Sequence, residues 1–187
     1  AFAVFVPFAT AARVLGWYSG SPVSARAVWC WVQAAGHQAM EHLQADLAAV
    51  AQGHGPMPEP LTDERAALPL ALGADGVMVP FRPEAGAPTG KTRWRAINVG
   101  VLARLSPHRT RTGQGVTRLA PRRLVAVVGD IARLTPRLWL AAVRQGILSA
   151  PQVVWRSAGG KGLWRLLNER FACHATGVLD LYHAAQN

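Results

Sequence analysis

Between Leu70 and Tyr182 the chain alternates apolar runs with turn signals in an order that few folds satisfy. Three strand-like runs come first, with no helical pattern between them. They are Leu70 to Phe81, closed by the turn-rich PEAGAPTGK; Arg93 to Leu105, followed by the long basic excursion SPHRTRTGQGVTRLAPR; and Leu124 to Val128. The last is apolar without a break, the pattern of a central strand buried on both faces. Helix and strand then alternate. Thr135 and Pro136 supply an N-cap and first helical residue for a helix running to Gln145, with Gly146 as its stop. Val153 to Arg156 reads as a short strand, Gly162 to Phe171 as a helix, and Gly177 to Tyr182 as a last strand.

A three-strand meander followed by alternating helix and strand is the order of an α/β, ribonuclease-H-like core. Such a core holds catalytic metal on acids at strand ends. A two-metal phosphoryl-transfer site needs hard oxygen ligands converging from different elements, because Mg²⁺ prefers carboxylate and water. The chain has only ten acids, so candidates are few. Asp75 interrupts an apolar strand in LGADGVMVPF, where an unpaired charge is costly without a purpose, and is the first candidate for catalysis and for metal. The structural alternative is that Asp75-Gly76 forms only a bulge or turn. At the end of the fourth strand, where a second acid is expected, stands Ala158. Asp180 closes the run GVLDLYHA, with His183 three residues on; it either helps to hold metal or DNA or orients His183, and the second role is favoured. Asp130 reads as a strand terminator and Glu169 as part of a solvated helix face.

Upstream, residues 1–51 read as a helical module. A helix from Ala9 to Trp17, with Ala11, Val14, Leu15 and Tyr18 as its apolar positions, ends at Gly20 and Pro22. Ser24 then caps a second helix whose stripe is Val28, Trp31, Val32, Ala35, Ala39, Leu43 and Leu47. Helix, tight turn, helix is the layout of a helix-turn-helix DNA reader, in which Ser24, Arg26 and Gln33 would face DNA. An ordinary helical hairpin fits the pattern equally well. Residues 52–63, rich in Gly and Pro, form a linker, and residues 64–187 the core domain.

The net charge is +10, and its distribution matters more than its size. Arg82 to Arg137 holds twelve Lys/Arg against Glu84 and Asp130, while the remainder balances eight bases with eight acids. A concentrated basic segment is the footprint of a phosphate-binding surface, with Arg93, Arg95, Arg109 and Arg111 as its candidate DNA contacts. Coding bias explains why 18 of 20 bases are Arg, but not why acids avoid this segment. Cys30 and Cys173 lie outside any CxxC pair and read as small buried hydrophobes of a reducing cytoplasm. No apolar run approaches the roughly 20 residues that span a bilayer. The apolar opening AFAVFVPF lacks a basic n-region and reads as a chain already under way.

The blocks LGADGVMVPFRP, KTRWRAINVGVLARL, RRLVAVVGDIARLTPRLWLAAVRQGI, QVVWRSAGGKGLWRLLNERF and GVLDLYHAAQN, in this order, resemble DDE-superfamily transposases of bacterial insertion sequences. The similarity is to the ISKra-type group, distantly related to Mutator-like enzymes. ATAARVLGWYSGSPVSARAVWCWVQAAG is similar to the helix-turn-helix part of the same proteins. The resemblance implies metal-dependent cleavage and transfer of DNA strands, with Mg²⁺ or Mn²⁺ as cofactor. It also implies double-stranded transposon ends as partner, a homo-oligomer, a cytoplasmic, nucleoid-associated protein, and no membrane or small-molecule substrate. It assigns the first catalytic acid to Asp75. The second belongs to a Ser-Asp-Gly block that here is Ser157-Ala158-Gly159, and the third is a Glu on a helix beyond Asn187. The expectation is a transposase-like chain that binds DNA and does not cut it. The alternatives are a non-catalytic regulator or inhibitor of transposition and an unstable remnant.

Overall fold

Leu70, Leu72 and Ala74 alternate with Ala71, Gly73 and Asp75, and this period of two gives the first strand one buried face. The computed structural model describes residues 5–56, 58–81 and 92–180. The expected turn PEAGAPTGK, the end of the last strand at Tyr182 and His183 lie outside the described residues. The chain divides into two units, Ala1–Gly53 and His54–Asn187.

The second unit is built on one five-stranded sheet. β1 (Leu70–Phe81), β2 (Arg93–Arg109) and β3 (Gly115–Val128) form an antiparallel meander. β4 (Val153–Ser157) joins β1 in parallel, and β5 (Thr176–Leu179) joins β4 in parallel. The spatial order is β3-β2-β1-β4-β5. A short α3 (Asp63–Ala66) precedes β1; α4 (Ile131–Arg144) and α5 (Lys161–Leu166), the latter continued by a π-helical turn Leu167–Phe171, connect the later strands. Register aligns Leu70, Leu72 and Ala74 with Val153, Trp155 and Ser157 on one face. That face packs against Leu134, Leu138, Ala141 and Ala142 of α4 and Leu163, Leu166 and Phe171 beyond β4. Each fully buried Leu or Phe contributes about 1.5–3 kcal/mol, so this cluster supplies most of the drive to fold.

Gly100 of β2 lies opposite Ala74 and faces Leu138 of α4. A Cβ there would stand 2.5 Å from Leu138 Cδ1. Gly100→Val is therefore expected to destabilise the domain by about 1–3 kcal/mol through overpacking. Thermal denaturation checks this; an unchanged Tm would mean that α4 can move off the sheet.

Several expectations are corrected. The apolar run Leu124 to Val128 belongs to an edge strand, not a central one: β3 has only β2 beside it, and Leu124 and Val128 are exposed. The basic excursion is mostly strand, because β2 continues to Arg109 and β3 begins at Gly115. A bulge between Ala103 and Leu105 marks the point where this ribbon leaves the sheet proper. α4 begins one turn before Thr135. Asp130 is its N-cap, accepting from the Arg133 N–H at 3.1 Å, and so starts a helix beyond ending a strand. Thr135 instead donates back to the Ile131 carbonyl. Cys30 and Cys173 are exposed free thiols, not buried hydrophobes.

The first unit holds α1 (Phe8–Ser19), ended by Gly20 at φ 66°, and α2 (Ala25–Ala51), capped by the Ser24 hydroxyl, which accepts from Ala27 N–H. Ala11, Ala12 and Val28 form its small core, with Val6, Phe8, Val23 and Val32 against it. Of the stripe expected along the whole second helix only Val28 is buried; Val32, Leu43 and Leu47 are half-buried, and Trp31, Ala35 and Ala39 are exposed. Tyr18 and Leu15 are likewise exposed. No helix among the described residues is long and apolar enough to cross a membrane.

Candidate functional site

The parallel register of β1 and β4 ends at the pair Ala74–Ser157. Asp75 and Ala158 are the next residue on each strand, so both stand at one level where β4 leaves the sheet. β5 continues the pattern: Leu179 pairs with Ser157, and the N–H of Asp180 donates to the Ser157 carbonyl at 3.2 Å. Positions 75, 158 and 180 thus follow one another across three adjacent parallel strands, just past the carboxyl ends of β4 and β5 and midway along β1. They line one open cleft of about 270 Å³ with Gly73, Val99, Val101 and Arg156. By strand alternation these side chains lie on the sheet face opposite α4.

Asp75 sits within an unbroken ladder, opposite Val99 and followed by Gly76 opposite Asn98. The bulge-or-turn alternative is thereby overturned, since the register runs through Asp75-Gly76 without a shift. The Asp75 side chain is exposed, and its Oδ1 accepts from the Gly76 N–H at 2.8 Å. Asp180 is bound to Arg156, with Nη2 and Oδ2 2.9 Å apart. Its carboxylate is only 14% exposed, while the Arg156 side chain is 60% exposed, so the pair is open to solvent on the arginine side. Asp180 therefore engages Arg156; the favoured partner His183 lies outside the described residues. Sequence reasoning missed Arg156. The signal for it was its alternation with Trp155 and Ser157, which sends an arginine to the cleft face of a buried strand.

The Ser157 hydroxyl cannot stand in for the absent carboxylate. It is buried and accepts the indole N–H of Trp155 at 3.0 Å, on the core side of β4. The chemistry of the donors does not suit a pair of divalent cations: Ala158 supplies no oxygen, Ser157 is committed to Trp155, and Asp180 already has a cation. Among the described residues no three His, Cys, Asp or Glu side chains are grouped to hold a metal ion.

The candidate DNA contacts fall in separate places. Arg93 and Arg95 begin β2, and Arg109 ends it 16 residues later. A strand rises about 3.4 Å per residue, so the two sets lie roughly 50 Å apart and cannot form one patch. Arg95 is half-buried with its guanidinium 5.3 Å from the Phe81 ring centre. Arg109 and Arg111 are exposed at the far end of the β2–β3 ribbon. In the first unit Arg26 and Gln33 are exposed and, seven residues apart, share a face of α2, while the Ser24 hydroxyl caps that helix. Two cations counted in the basic segment already have protein partners, Arg123 at the surface and Arg104 in the interior. Arg123 pairs with Glu59 at 2.7 Å. Arg104 is 1% exposed and donates to the carbonyls of Leu68 and Gln145, and burial lowers its pKa from the ordinary value.

No family model matches the chain, and no curated protein does either. Among solved structures, a match is found to the Drosophila P element transposase strand transfer complex, with a TM-score of 0.39 and 14% identity. It covers 66% of this chain and 29% of that one, so the chain spans less than a third of the protein it is compared with.

Proposed function

We propose that this chain is a transposase-like, DNA-associated protein whose ribonuclease-H-like core binds double-stranded DNA without cutting it. One observation carries the reading: Asp75, position 158 and Asp180 follow paired positions on three parallel strands of a β3-β2-β1-β4-β5 sheet. Acids in that placement suit metal-dependent strand cleavage, and here the middle one is alanine. The sequence blocks favour descent from DDE transposases of bacterial insertion sequences, ISKra-type, with α1 and α2 as the DNA-reading module. Mg²⁺ or Mn²⁺ would activate the attacking oxygen and stabilise the leaving one in such a core. The described residues of the cleft do not fit that pair of ions. What remains is the basic surface, which supports binding to phosphate backbone.

The test is fluorescence anisotropy of the full chain on a random duplex across a salt series. With three or four phosphates contacted, affinity is expected to fall on the order of 40-fold to 150-fold between 50 and 200 mM salt. Absence of binding at 50 mM salt, or binding indifferent to salt, would overturn the reading. A preference of around 10³-fold for one terminal sequence would identify a retained regulator rather than a general DNA binder.

A further inference from the structure

We propose that the β2–β3 ribbon is a DNA-binding arm that enters the major groove of a duplex, with Arg111 at its apex. This deepens the DNA-binding reading above and rests on it. Beyond the bulge, Leu105 to Arg109 pair residue by residue with Leu119 to Gly115. Five paired residues extend about 17 Å, enough to reach the floor of a major groove about 8.5 Å deep. That groove, about 12 Å wide, admits a two-stranded ribbon. Residues 107–109 and 111–119 are exposed throughout.

The tip is built rather than loose. Gly113 N–H donates to the Thr110 carbonyl at 3.0 Å, Gly113 takes φ 82°, and Thr110 N–H donates to the Gln114 carbonyl at 2.9 Å. This is the three-residue hairpin loop in which a type I turn ends on a left-handed glycine. The Thr110 hydroxyl tightens it by accepting from Gln114 N–H at 3.1 Å and lying 2.9 Å from the Thr112 hydroxyl. An arm already ordered in the free protein loses little entropy on binding.

Charge decides what it binds. No acid occurs between Glu84 and Asp130, so the whole ribbon lies in an acid-free stretch. Register puts Arg109 on one face of the ribbon, with Pro107 and Thr117, and Arg118 on the other, with Ser106, His108 and Val116. Arg111 is at the turn. A ribbon lying flat on a charged surface needs cations on one face only. Cations on both faces and at the tip suit a slot with phosphate on either wall. Arg111 and Gln114 at the leading end are side chains that can address base edges, guanine for Arg and adenine for Gln.

The experiment compares the full chain, an Arg109→Gln/Arg111→Gln/Arg118→Gln variant, and an Arg133→Gln/Arg137→Gln control that removes charge from α4, Arg133 being exposed and Arg137 half-buried. Binding to a random B-form duplex and to duplex RNA is read by anisotropy across a salt series, with circular dichroism to verify folding. For the ribbon variant the log–log salt slope is expected to shrink by about 2–3, at about 0.9 for each phosphate no longer neutralised, and the control to stay near wild type. Methyl green, a major-groove ligand, should displace the protein, and the minor-groove ligand netropsin should not. Duplex RNA should bind far more weakly, because its major groove is too narrow for side chains to read. If the wild-type chain fails to bind duplex DNA at low salt, the DNA reading itself falls. If it binds and the ribbon variant matches the control, only the arm is refuted. Displacement by netropsin, or equal affinity for duplex RNA, would overturn the groove assignment.

Discussion

The chain is expected to show no Mg²⁺- or Mn²⁺-dependent cleavage of duplex DNA, and Ala158→Asp is expected to give it a metal site. On the proposed reading position 158 belongs to a catalytic unit, and losing one member of such a unit costs on the order of 10⁴–10⁶ in rate. The geometry explains why the effect is so large. Position 158 follows Ser157, which pairs with Ala74, so a carboxylate there would stand beside Asp75 on the neighbouring strand. In the present chain position 158 offers Asp75 no second carboxylate at that level, and Asp180 is held by Arg156. In A158D two acids would adjoin where β4 ends beside β1, and their repulsion lowers stability until a divalent cation joins them. Adding Mn²⁺ at 100 times its Kd should then stabilise A158D by about 2.7 kcal/mol, readable as a rise in Tm. The wild-type chain should not respond, and Asp75→Asn in the A158D background should abolish the response. Mg²⁺- or Mn²⁺-dependent cleavage of duplex DNA by the wild-type chain would sink the inactive reading. A158D that ignores Mn²⁺ would instead show that positions 75 and 158 do not converge.

How much of this was legible in the sequence follows from which signals are local. Alternation of apolar residues is local, and it located β1, β4 and the helices between the strands within a few residues. The level shared by Asp75 and Ala158 was not legible, because it depends on the parallel register of β1 and β4. What failed depends on neighbours that a sequence does not reveal. The run Leu124 to Val128 looks the same whether one strand or two lie beside it, so its edge position was hidden. The basic excursion looked like a loop because its strands alternate Arg, Thr and Pro with no apolar face, yet hairpin pairing past the bulge holds them extended. Arg104 counted as surface charge, while in the fold it closes the end of α4 by donating to the Gln145 carbonyl. The Arg156–Asp180 pair joins residues 24 apart in sequence, brought together only by the β4–β5 register.

Trp155 ties the core to the cleft, and its removal has the second largest expected effect. It is fully buried, its ring centre lies 5.2 Å from that of Phe171, and Phe171 in turn meets Trp139 edge-on at 5.6 Å. Trp155→Ala leaves a cavity in this aromatic cluster and should cost about 3–5 kcal/mol. Set against a typical total of about 5–15 kcal/mol, that is enough to leave much of the population unfolded at 37 °C if the domain sits at the low end. Trp155→Phe separates packing from hydrogen bonding. It keeps most of the aromatic volume but removes the indole N–H, leaving the buried Ser157 hydroxyl without its donor at a cost of about 1–3 kcal/mol. Ser157→Ala alone should cost about as much by stranding the indole, and the double variant should cost less than the two summed, a coupling that urea denaturation of all four proteins measures. Strict additivity would mean that the Trp155–Ser157 bond contributes nothing. With coupling, the bond is what fixes the last residue of β4, and Ala158 beside Asp75 is held in place from inside the core.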